Sequence, residues 1–352
     1  MKSSKLFALM VAVVLVAAFV ALPATAQTPA PTPSQAQLDT AKQIDGWKPA
    51  QPMKPFTVGI VVKSLVNEPF QVTLAETAKK TIESLGGKAE ILAASHQQVA
   101  EQVAMVEDLI EKKLDGLILV PLGSEAIIPA VEKANKAGIP VVIADTASYG
   151  GDFITFLATD NIQASAGAAE YLIKKFNGKA KVAQLEGEPG GQTAADRIKG
   201  FQDKLKEAPG MELVASQNGH WTTAGGQSVT ENILQANPDI NAIFASSDMM
   251  GVGAAEAIKA AGMAGKVTLV TFDGLPEGVD LIKQGVSDGD MAQFPVRMGD
   301  WGAKVLGMVL SGEKKPSDFP KYINTGAELV TAQAADAYLL NTFGITSTVT
   351  SK

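Results

Sequence analysis

One pattern repeats along most of this chain: a short run of apolar, often β-branched residues is followed by a segment with apolar residues every three or four positions. The first run is FTVGIVV at 56–62, and the segment after it has one apolar face, formed by Leu74, Ala78, Ile82 and Leu85. The runs are apolar at consecutive positions, which indicates strands that are covered on both faces. Such strands belong to parallel sheets between layers of helices, so the pattern predicts an α/β fold.

The pattern occurs as two consecutive sets, each of the length typical of one domain. The first set ends with PVVIAD at 140–145; the second begins after FITFLATD at 153–160 and ends with VTLVTFDG at 267–274. Short connections between strand and helix require right-handed crossovers and a doubly wound sheet. We therefore predict two doubly wound parallel-sheet lobes, joined by a multi-strand hinge.

The residues after about Gly285 do not continue the repeat, and we expect them to cross back between the lobes. On this interpretation the N-terminal lobe comprises residues 56–159 plus about 294–322. The C-terminal lobe comprises residues 160–293 plus about 323–340, and residues 341–352 form a tail.

Residues 1–26 are typical of a secretory signal peptide. Lys2 and Lys5 precede an apolar run that ends near Leu22, and a small-x-small cleavage pattern ends at Ala26. The run is shorter than the ~20 residues that a membrane span needs. We expect cleavage after about Ala26 and a mature protein in the periplasm. The following residues, 27–55, are rich in Pro, Ala, Thr and Gln, and we expect a disordered or polyproline-like leader.

Composition removes several classes of function. The chain has no cysteine, which suits an oxidising compartment and excludes thiolate metal sites and cysteine nucleophiles. Its formal net charge of −7 argues against nucleic-acid binding. His96 and His220 are the only histidines, so the sequence has no zinc-type ligand spacing. A Ser-His-Asp triad would have to use one of them, and no nucleophile-elbow motif is present. GVGAAE at 251–256 lacks the third glycine of a dinucleotide fingerprint and predicts close helix packing instead. We expect no cofactor, no metal and no catalysis.

Acidic residues stand at the carboxyl ends of several predicted strands, namely Asp145, Asp160, Asp248 and Asp273. In open α/β sheets, ligands bind beyond these strand ends. An aspartate in this position often caps a helix or forms a turn, and Asp160 and Asp248, each before a helix, fit that alternative. Asp145 and Asp273 lie in loops that need no cap, and they are the better candidates for ligand contact.

Two aromatic residues, Phe70 and Trp221, fall in loops between a strand and a helix, outside any apolar stripe. Such residues can cover the local core or form a stacking surface. Their equivalent places in the two lobes favour stacking. Sugar rings present apolar C–H faces to aromatic side chains, while their hydroxyls need Asp, Asn, Gln or Arg.

Together these segments resemble the periplasmic binding proteins of the ribose-binding type, the sugar-capturing subunits of ABC importers. The resemblance covers about residues 56–337. It rests on the order and spacing of motifs that are weak singly: VGIVVKSLVNEPF (58–70), DGLILVP (115–121), AGIPVVIAD (137–145), TDN (159–161), AADRIKGF (194–201), NPDINAIFASSDMMGVGAAEAI (237–258), VTFDG (270–274) and MAQFP (291–295).

The resemblance implies two lobes that close on a sugar and assigns ligand contacts to Asn67, Phe70, Asp145, Arg197, Trp221, Ser247, Asp273 and Gln293. Phe70 and Trp221 would sandwich the ring. Asp145 and Asp273 would accept hydrogen bonds from hydroxyls, and Arg197 would donate them. Gln293, beside the hinge, would do both. Arg197 also has a plainer interpretation, a surface charge on its helix.

The chain departs from its best-known relatives at several of these positions. Thr146 stands where an Arg usually follows the strand-end Asp, Gln71 replaces a second aromatic, and Ser247 replaces an Asn. The first loop is one residue longer, so Asn67 and Glu68 compete for one contact. Because buried hydrogen bonds make specificity sharp, these changes leave open which monosaccharide, deoxy sugar or sugar alcohol is bound.

The function implied is a monomeric solute-binding protein that delivers a small sugar or polyol to an ABC permease in the inner membrane. An alternative is a binding protein that presents its ligand to a chemoreceptor or sensor kinase. The effector domain of a repressor shares the architecture, but the signal peptide stands where a DNA-binding segment would be needed.

Overall fold

The computed structural model describes residues 35–94 and 98–345. The predicted signal peptide, residues 27–34 and residues 346–352 lie outside this range. The first part of the chain forms α1 (Gln35–Asp45), β1 (Thr57–Val62), α2 (Pro69–Ser84), β2 (Lys88–Ala93), α3 (Val99–Glu111), β3 (Gly116–Leu119), α4 (Ile128–Lys136), β4 (Val141–Ala144) and β5 (Phe156–Ala158).

The second part of the chain repeats the alternation and then adds shorter elements. It forms α5 (Asn161–Lys175), β6 (Lys179–Glu186), α6 (Gln192–Lys206), β7 (Gly210–Asn218), α7 (Thr223–Ala236), β8 (Ala242–Ala245), α8 (Asp248–Ala260), β9 (Thr268–Asp273), α9 (Pro276–Lys283), β10 (Gly289–Ala292), α10 (Pro295–Leu310), β11 (Tyr322–Asn324), β12 (Glu328–Val330) and α11 (Ala335–Phe343).

The strands form two sheets of the same design. The first has the order β11-β5-β4-β3-β1-β2, and the second has the order β12-β10-β9-β8-β6-β7. All neighbours pair in parallel except β12, which runs antiparallel to β10. The predicted pair of doubly wound α/β lobes is confirmed.

Consecutive apolar residues of β1 explain why the strand runs do not alternate with polar residues. Ile60 packs in one core cluster with Leu74 of α2, whereas the next residue, Val61, packs in another with Leu109 of α3. Since neighbouring side chains of a strand point to opposite faces, both faces of this sheet are buried. The carboxyl ends of the strands are therefore free to present polar groups at one edge.

The chain passes between the two sheets three times: from β5 to α5, from β10 to α10, and from β11 to β12. The last passage comes after residue 324, whereas we predicted that the N-terminal lobe ends at about residue 322. β11 pairs with β5 of the first sheet as far as Asn324, so the chain leaves the N-terminal lobe after that residue. The parallel pairing of β11 with β5 sets the end of the N-terminal lobe. The strand β11 is too short for its sequence to indicate that pairing.

The expectation of a disordered leader over residues 27–55 is wrong for residues 35–45, which form α1. The side chain of Ile44 is buried in the same core cluster as Trp301 of α10. Trp301 Nε1 also donates to Asp45 Oδ1 at 3.1 Å. These contacts come from a helix more than 250 residues away, so the weak apolar pattern of the leader could not indicate them.

The partial glycine motif at 251–256 has the packing role that was predicted. A Cβ on Gly253 would overlap the backbone carbonyl oxygen of Thr223, at the start of α7. Glycine therefore lets α7 and α8 approach closely. Within residues 35–94 and 98–345, no helix combines the length and apolar character needed to cross a bilayer.

Candidate functional site

A cavity lies between the two lobes, at the carboxyl ends of their strands. It encloses about 730 Å³ of empty space, including its opening. Both lobes contribute to its wall, and the predicted site residues that line it are Phe70, Asp145, Arg197, Trp221, Ser247, Asp273 and Gln293. The structure thus brings together seven of the eight positions that the resemblance indicated.

Asn67 is the predicted position that does not line the cavity. Its side chain is exposed, and its φ of 56° is a left-handed conformation that asparagine tolerates. The next residue, Glu68, lies in the cavity wall instead. Of the two residues that compete for one contact, the structure therefore brings Glu68 to the cavity wall, and a ligand contact of Asn67 stays a prediction.

Asp145 lies at the end of β4 and is 4% exposed. Its Oδ2 accepts hydrogen bonds from Lys63 Nζ at 2.7 Å and from Gln71 Nε2 at 3.4 Å. Its Oδ1 has no hydrogen-bond partner among the described residues. One oxygen is thus anchored while the other can accept from a ligand.

Lys63 is a site residue that sequence reasoning missed. It follows the last residue of β1 and lines the cavity, where its ammonium group compensates the Asp145 carboxylate. Its Nζ also donates to Thr146 Oγ1 at 2.7 Å. A lysine directly after a buried strand was the signal, since no cap or turn needs a cation there. In this chain the cation beside Asp145 is therefore Lys63, directly after β1, rather than an arginine at position 146.

Arg197 and Asp273 form the corresponding ion pair of the second lobe. Arg197 Nη1 donates to Asp273 Oδ1 at 3.0 Å and to the carbonyl oxygen of Ser246 at 2.6 Å, while its Nε donates to Asn161 Oδ1 at 2.8 Å. The side chain is 2% exposed, so its alternative as a surface helix charge is wrong. Its guanidinium lies 3.7 Å from the ring centroid of Phe272, and this cation–π contact fixes the plane of the guanidinium group.

Gln293 completes this group from the passage between β10 and α10. Its Nε2 donates to Asp273 Oδ1 at 2.7 Å, and its Oε1 is buried without a hydrogen-bond partner. Asp273 Oδ2 likewise has no partner within residues 35–94 and 98–345. Burial raises the pKa of Asp273, and Arg197 opposes that rise. Both Asp273 and Gln293 therefore present an acceptor oxygen that the protein itself leaves unused.

The two aromatic side chains have different settings. Phe70 is 6% exposed and belongs to the core cluster of the first lobe, so it both covers the core and lines the cavity. Trp221 is half-buried, and its indole ring packs so closely on Gly187 that a Cβ there would overlap it. The Arg197 guanidinium lies 5.4 Å from the Trp221 ring centroid, on the same wall.

Three site residues have backbone conformations that are uncommon for residues other than glycine. The φ angles are 61° at Asp145, 60° at Trp221 and 124° at Asp273. Such conformations cost of order 1–3 kcal/mol each and persist only where surrounding contacts impose them. Their occurrence at positions selected independently from the sequence supports the assignment of this cavity as the site.

The strand-end residues outside this group have capping or structural roles. Asp160 Oδ1 accepts from the backbone of Gln163 at 3.0 Å, so Asp160 caps α5 as its alternative predicted. For α8 the cap is Ser247, whose Oγ accepts from the backbone of Met250, and the expectation that Asp248 caps this helix is wrong. Ser247 also lines the cavity. Asp248 is fully buried behind it.

Glu68 and Glu188 are the remaining carboxyl groups in the wall, and no described residue forms a hydrogen bond with the side chain of Glu68. Burial raises its pKa to about 7; Lys63 lowers it, and the nearby Asp273 and Asp145 carboxylates raise it. At the rim, Glu188 Oε2 lies 2.6 Å from His220 Nδ1. The cavity therefore contains two compensated ion pairs and additional acidic groups, which disfavours an anionic ligand.

Two α/β lobes, three passages between them and a polar, aromatic-walled cavity at the strand ends define a two-lobed solute-binding protein. The chain belongs to the periplasmic binding protein family, since the model described as Periplasmic binding protein domain matches residues 58–314.

Individual relatives agree with this assignment. The chain is 35% identical to the ribose import binding protein of Salmonella typhimurium over 285 residues, which cover 81% of this chain and 95% of that protein. It is 32% identical to the D-allose-binding periplasmic protein of Escherichia coli, with 73% and 87% covered. A solved ABC transporter periplasmic solute binding protein of Actinobacillus succinogenes, with bound D-allose, superposes with a TM-score of 0.76 at 30% identity, covering 81% of this chain and 100% of that one.

Proposed function

We propose that this protein is the solute-binding component of an ABC importer and captures a neutral small sugar or sugar alcohol between its lobes. One observation carries the ligand class. Asp145 Oδ1, Asp273 Oδ2 and Gln293 Oε1 have no hydrogen-bond partner among the described residues, and all three residues line the cavity. Buried acceptors without partners are costly, and several hydroxyl donors on one small molecule would satisfy them together.

The donors of the site fit the same ligand. Arg197 Nη2 forms no hydrogen bond with the described residues, and Lys63 Nζ uses two of its three hydrogens. A hydroxyl can accept from these groups and donate to the carboxylates at once. Phe70 and Trp221 supply apolar surface for the C–H faces of a ring. No covalent step is involved in capture.

Capture occurs by closure of the lobes, which removes the ligand from water and strengthens each hydrogen bond to it. The closed form then docks on a membrane permease of the importer. We propose that the protein acts as a monomer in the periplasm after cleavage near Ala26. Presentation of the ligand to a chemoreceptor or sensor kinase uses the same closed form and is the second candidate for the downstream partner.

A thermal-shift screen of the mature protein tests the ligand class. We expect pentoses, hexoses, deoxy sugars or polyols to raise the melting temperature; a ligand at 100 times its dissociation constant adds about 2.7 kcal/mol of stability. Sugar acids and amino acids serve as controls of similar size. Stabilisation by anionic compounds alone, with none by neutral sugars or polyols, would contradict the proposal.

A further inference from the structure

The loop Asp273–Leu275, which carries a ligand-site carboxylate, is held from behind by two other carboxyl groups. Asp290 Oδ1 accepts from the backbone nitrogen of Gly274 at 3.1 Å, and Asp248 Oδ2 accepts from the backbone nitrogen of Leu275 at 2.7 Å. Asp248 begins α8, Asp290 lies in β10, and both side chains have no exposed surface. Neither residue lines the ligand cavity.

Each of these two carboxyl groups has one oxygen without a conventional partner. Asp248 Oδ1 and Asp290 Oδ2 are both buried, and neither atom has a hydrogen-bond partner among the described residues. The two side chains nevertheless lie within hydrogen-bonding reach of each other. Two carboxylates cannot bond, but a carboxylic acid can donate to a carboxylate. A single proton between them removes both deficits.

The groups around the pair do not supply another compensating charge. Asp273 adds a further negative charge beside both carboxyls, and Arg197, which acts on Asp290, is already paired with Asp273. The Thr271 hydroxyl faces Asp248. From α11, the phenol of Tyr338 faces both acids, and its own pKa is raised by burial, by the pair and by Glu328. Within the described residues, the pair therefore depends on a proton for its neutralisation.

The loop has little freedom to move away from this support. Asp273 and Gly274 have φ angles of 124° and 71°, and a Cβ on Gly274 would overlap the Tyr338 hydroxyl and Ala292. A Cβ on Gly278, in the first turn of α9, would overlap the Asp248 carboxyl. The pair thus lies in a closely packed place where a second negative charge cannot be solvated.

We propose that Asp248 and Asp290 share one proton and act as positioning residues, which hold the Asp273–Leu275 loop in the form that accepts the ligand. The sharing of the proton is independent of the proposed function, whereas its effect on affinity rests on it. Burial raises the pKa of Asp290 to about 7, the hydrogen bond with Asp248 opposes that rise, and the Asp273 carboxylate adds to it. Burial and the negative charge of Asp290 raise the pKa of Asp248 well above its usual range. The pair therefore keeps a proton near neutral pH and loses it in alkaline solution.

The first test needs no ligand. In the ligand-free mature protein, the side-chain carboxyl ¹³C resonances of Asp248 and Asp290 are followed by NMR from pH 3 to pH 10. We expect a coupled titration whose last step lies near or above neutrality. Titration of both groups near pH ~3.9, the ordinary value for aspartate, would overturn the shared proton.

The second test is the backbone amide exchange of Gly274 and Leu275, corrected for the intrinsic rise of exchange with pH. In the parent protein we expect protection to fall as the pH rises through the last titration step of the pair, near or above neutrality. Asp290→Asn imitates the protonated acid, because its amide can accept from Gly274 and donate to Asp248. Its protection should stay constant across the same pH range. Asp280→Asn, which changes an exposed acid of α9, is the matched control and should behave as the parent.

The third test measures affinity with D-ribose and D-allose by calorimetry between pH 6 and pH 9. It is performed in a Glu68→Gln background, because Glu68 lines the cavity and titrates near the same pH. We expect the dissociation constant to rise up to roughly tenfold per pH unit above the titration of the pair, as one linked proton requires. Asp290→Asn should remove this slope.

An unchanged slope in Asp290→Asn would overturn the positioning role. If neither sugar binds the parent protein at any pH, the proposed function is contradicted for those two sugars. The resonance and exchange measurements still decide whether the pair holds the loop, so the two failures are distinguishable.

Discussion

The hydroxyl groups of Thr146 and Thr193 lie 2.8 Å apart and join the two lobes beside the ligand cavity. Thr146 follows β4 of the first lobe, and Thr193 lies in the first turn of α6 in the second. Thr193 Oγ1 donates to the carbonyl oxygen of Asp145 at 3.1 Å, and Thr146 Oγ1 accepts from Lys63. Because Thr193 uses its hydroxyl hydrogen on that carbonyl, the single hydroxyl hydrogen of Thr146 is the one available for the contact with Thr193, and Asp145 Oδ2 at 3.3 Å is its other acceptor.

This contact gives Thr146 a role that its position in the sequence did not indicate. Thr146 replaces the arginine expected from the family, but its hydroxyl is used between the lobes. Thr193 stands one helical turn before Arg197 on α6, so the same helix carries a contact between lobes and a ligand-site cation. We therefore expect position 146 to influence closure as well as ligand choice.

Thr193→Val should weaken ligand binding, although it leaves every charged side chain of the cavity unchanged. Valine keeps the shape but leaves the Asp145 carbonyl and the Thr146 hydroxyl without their partner in the closed form. We expect a loss of about 1–2 kcal/mol, or roughly 5- to 30-fold in affinity. Calorimetry measures the affinity, and small-angle scattering measures the fraction of closed molecules. Thr193→Ser retains the hydroxyl and should restore both; equal behaviour of the two variants would contradict the role.

Asp145→Ala should abolish stabilisation by the ligand while the protein still melts cooperatively. It removes the acceptor oxygen of the first lobe and leaves Lys63, which is 16% exposed, without its compensating charge. An affinity loss of about 1.5–3 kcal/mol, or roughly 10- to 150-fold, is expected from the lost hydrogen bond between a ligand hydroxyl and a charged acceptor. Thermal shift and calorimetry are the measurements. Asp145→Asn is the conservative comparison, and an unchanged dissociation constant in Asp145→Ala would exclude the residue from the site.

Trp221 should report ligand binding through its fluorescence. The chain has three tryptophans, and of these Trp47 and Trp301 pack in the cluster around α1 and α10, outside the cavity wall. A change in emission on addition of a sugar therefore comes from Trp221. Trp221→Ala should weaken binding by about 1–2 kcal/mol through loss of stacking, whereas Trp221→Phe should retain part of it. Full affinity in Trp221→Ala would remove the stacking role.

Glu68 should make stability depend on pH. Because burial raises the pKa of Glu68 to about 7, the folded protein holds a proton that the unfolded chain releases near pH ~4.3. This contribution to stability is fully present below the unfolded pKa and is lost as the pH rises through about 7. Urea unfolding between pH 4 and pH 8 should show a decline of at most ~1.4 kcal/mol per pH unit from this group. Glu68→Gln should remove it, and an identical pH profile in the variant would disprove the shift.

The sequence predicted the fold because the fold depends on local periodicity. Strands with consecutive apolar residues and helices with one apolar face can be recognised over ten to fifteen positions, and their repetition indicates two lobes. The leader was misjudged because α1 is held by Ile44 and Asp45 against α10, and local composition contains no trace of that contact.

The same distinction applies to the site. Asp145 and Asp273 could be selected from the sequence, because a polar residue at the end of a buried strand is a local signal with a known place at the sheet edge. The choice of Glu68 over Asn67 could not, since one extra loop residue changes which side chain enters the cavity.

The sequence by itself therefore determined the two α/β lobes, the edge at which they bind a ligand and most of the residues there. Only the tertiary structure decided which charges are paired, how the lobes touch and which acids share a buried space. Lys63 and Asp145 are 82 positions apart, and Thr146 and Thr193 are 47 apart. Asp248 and Asp290 likewise come from different elements of the second lobe. Interactions of this kind depend on distances and burial, which folding sets when it brings distant segments together.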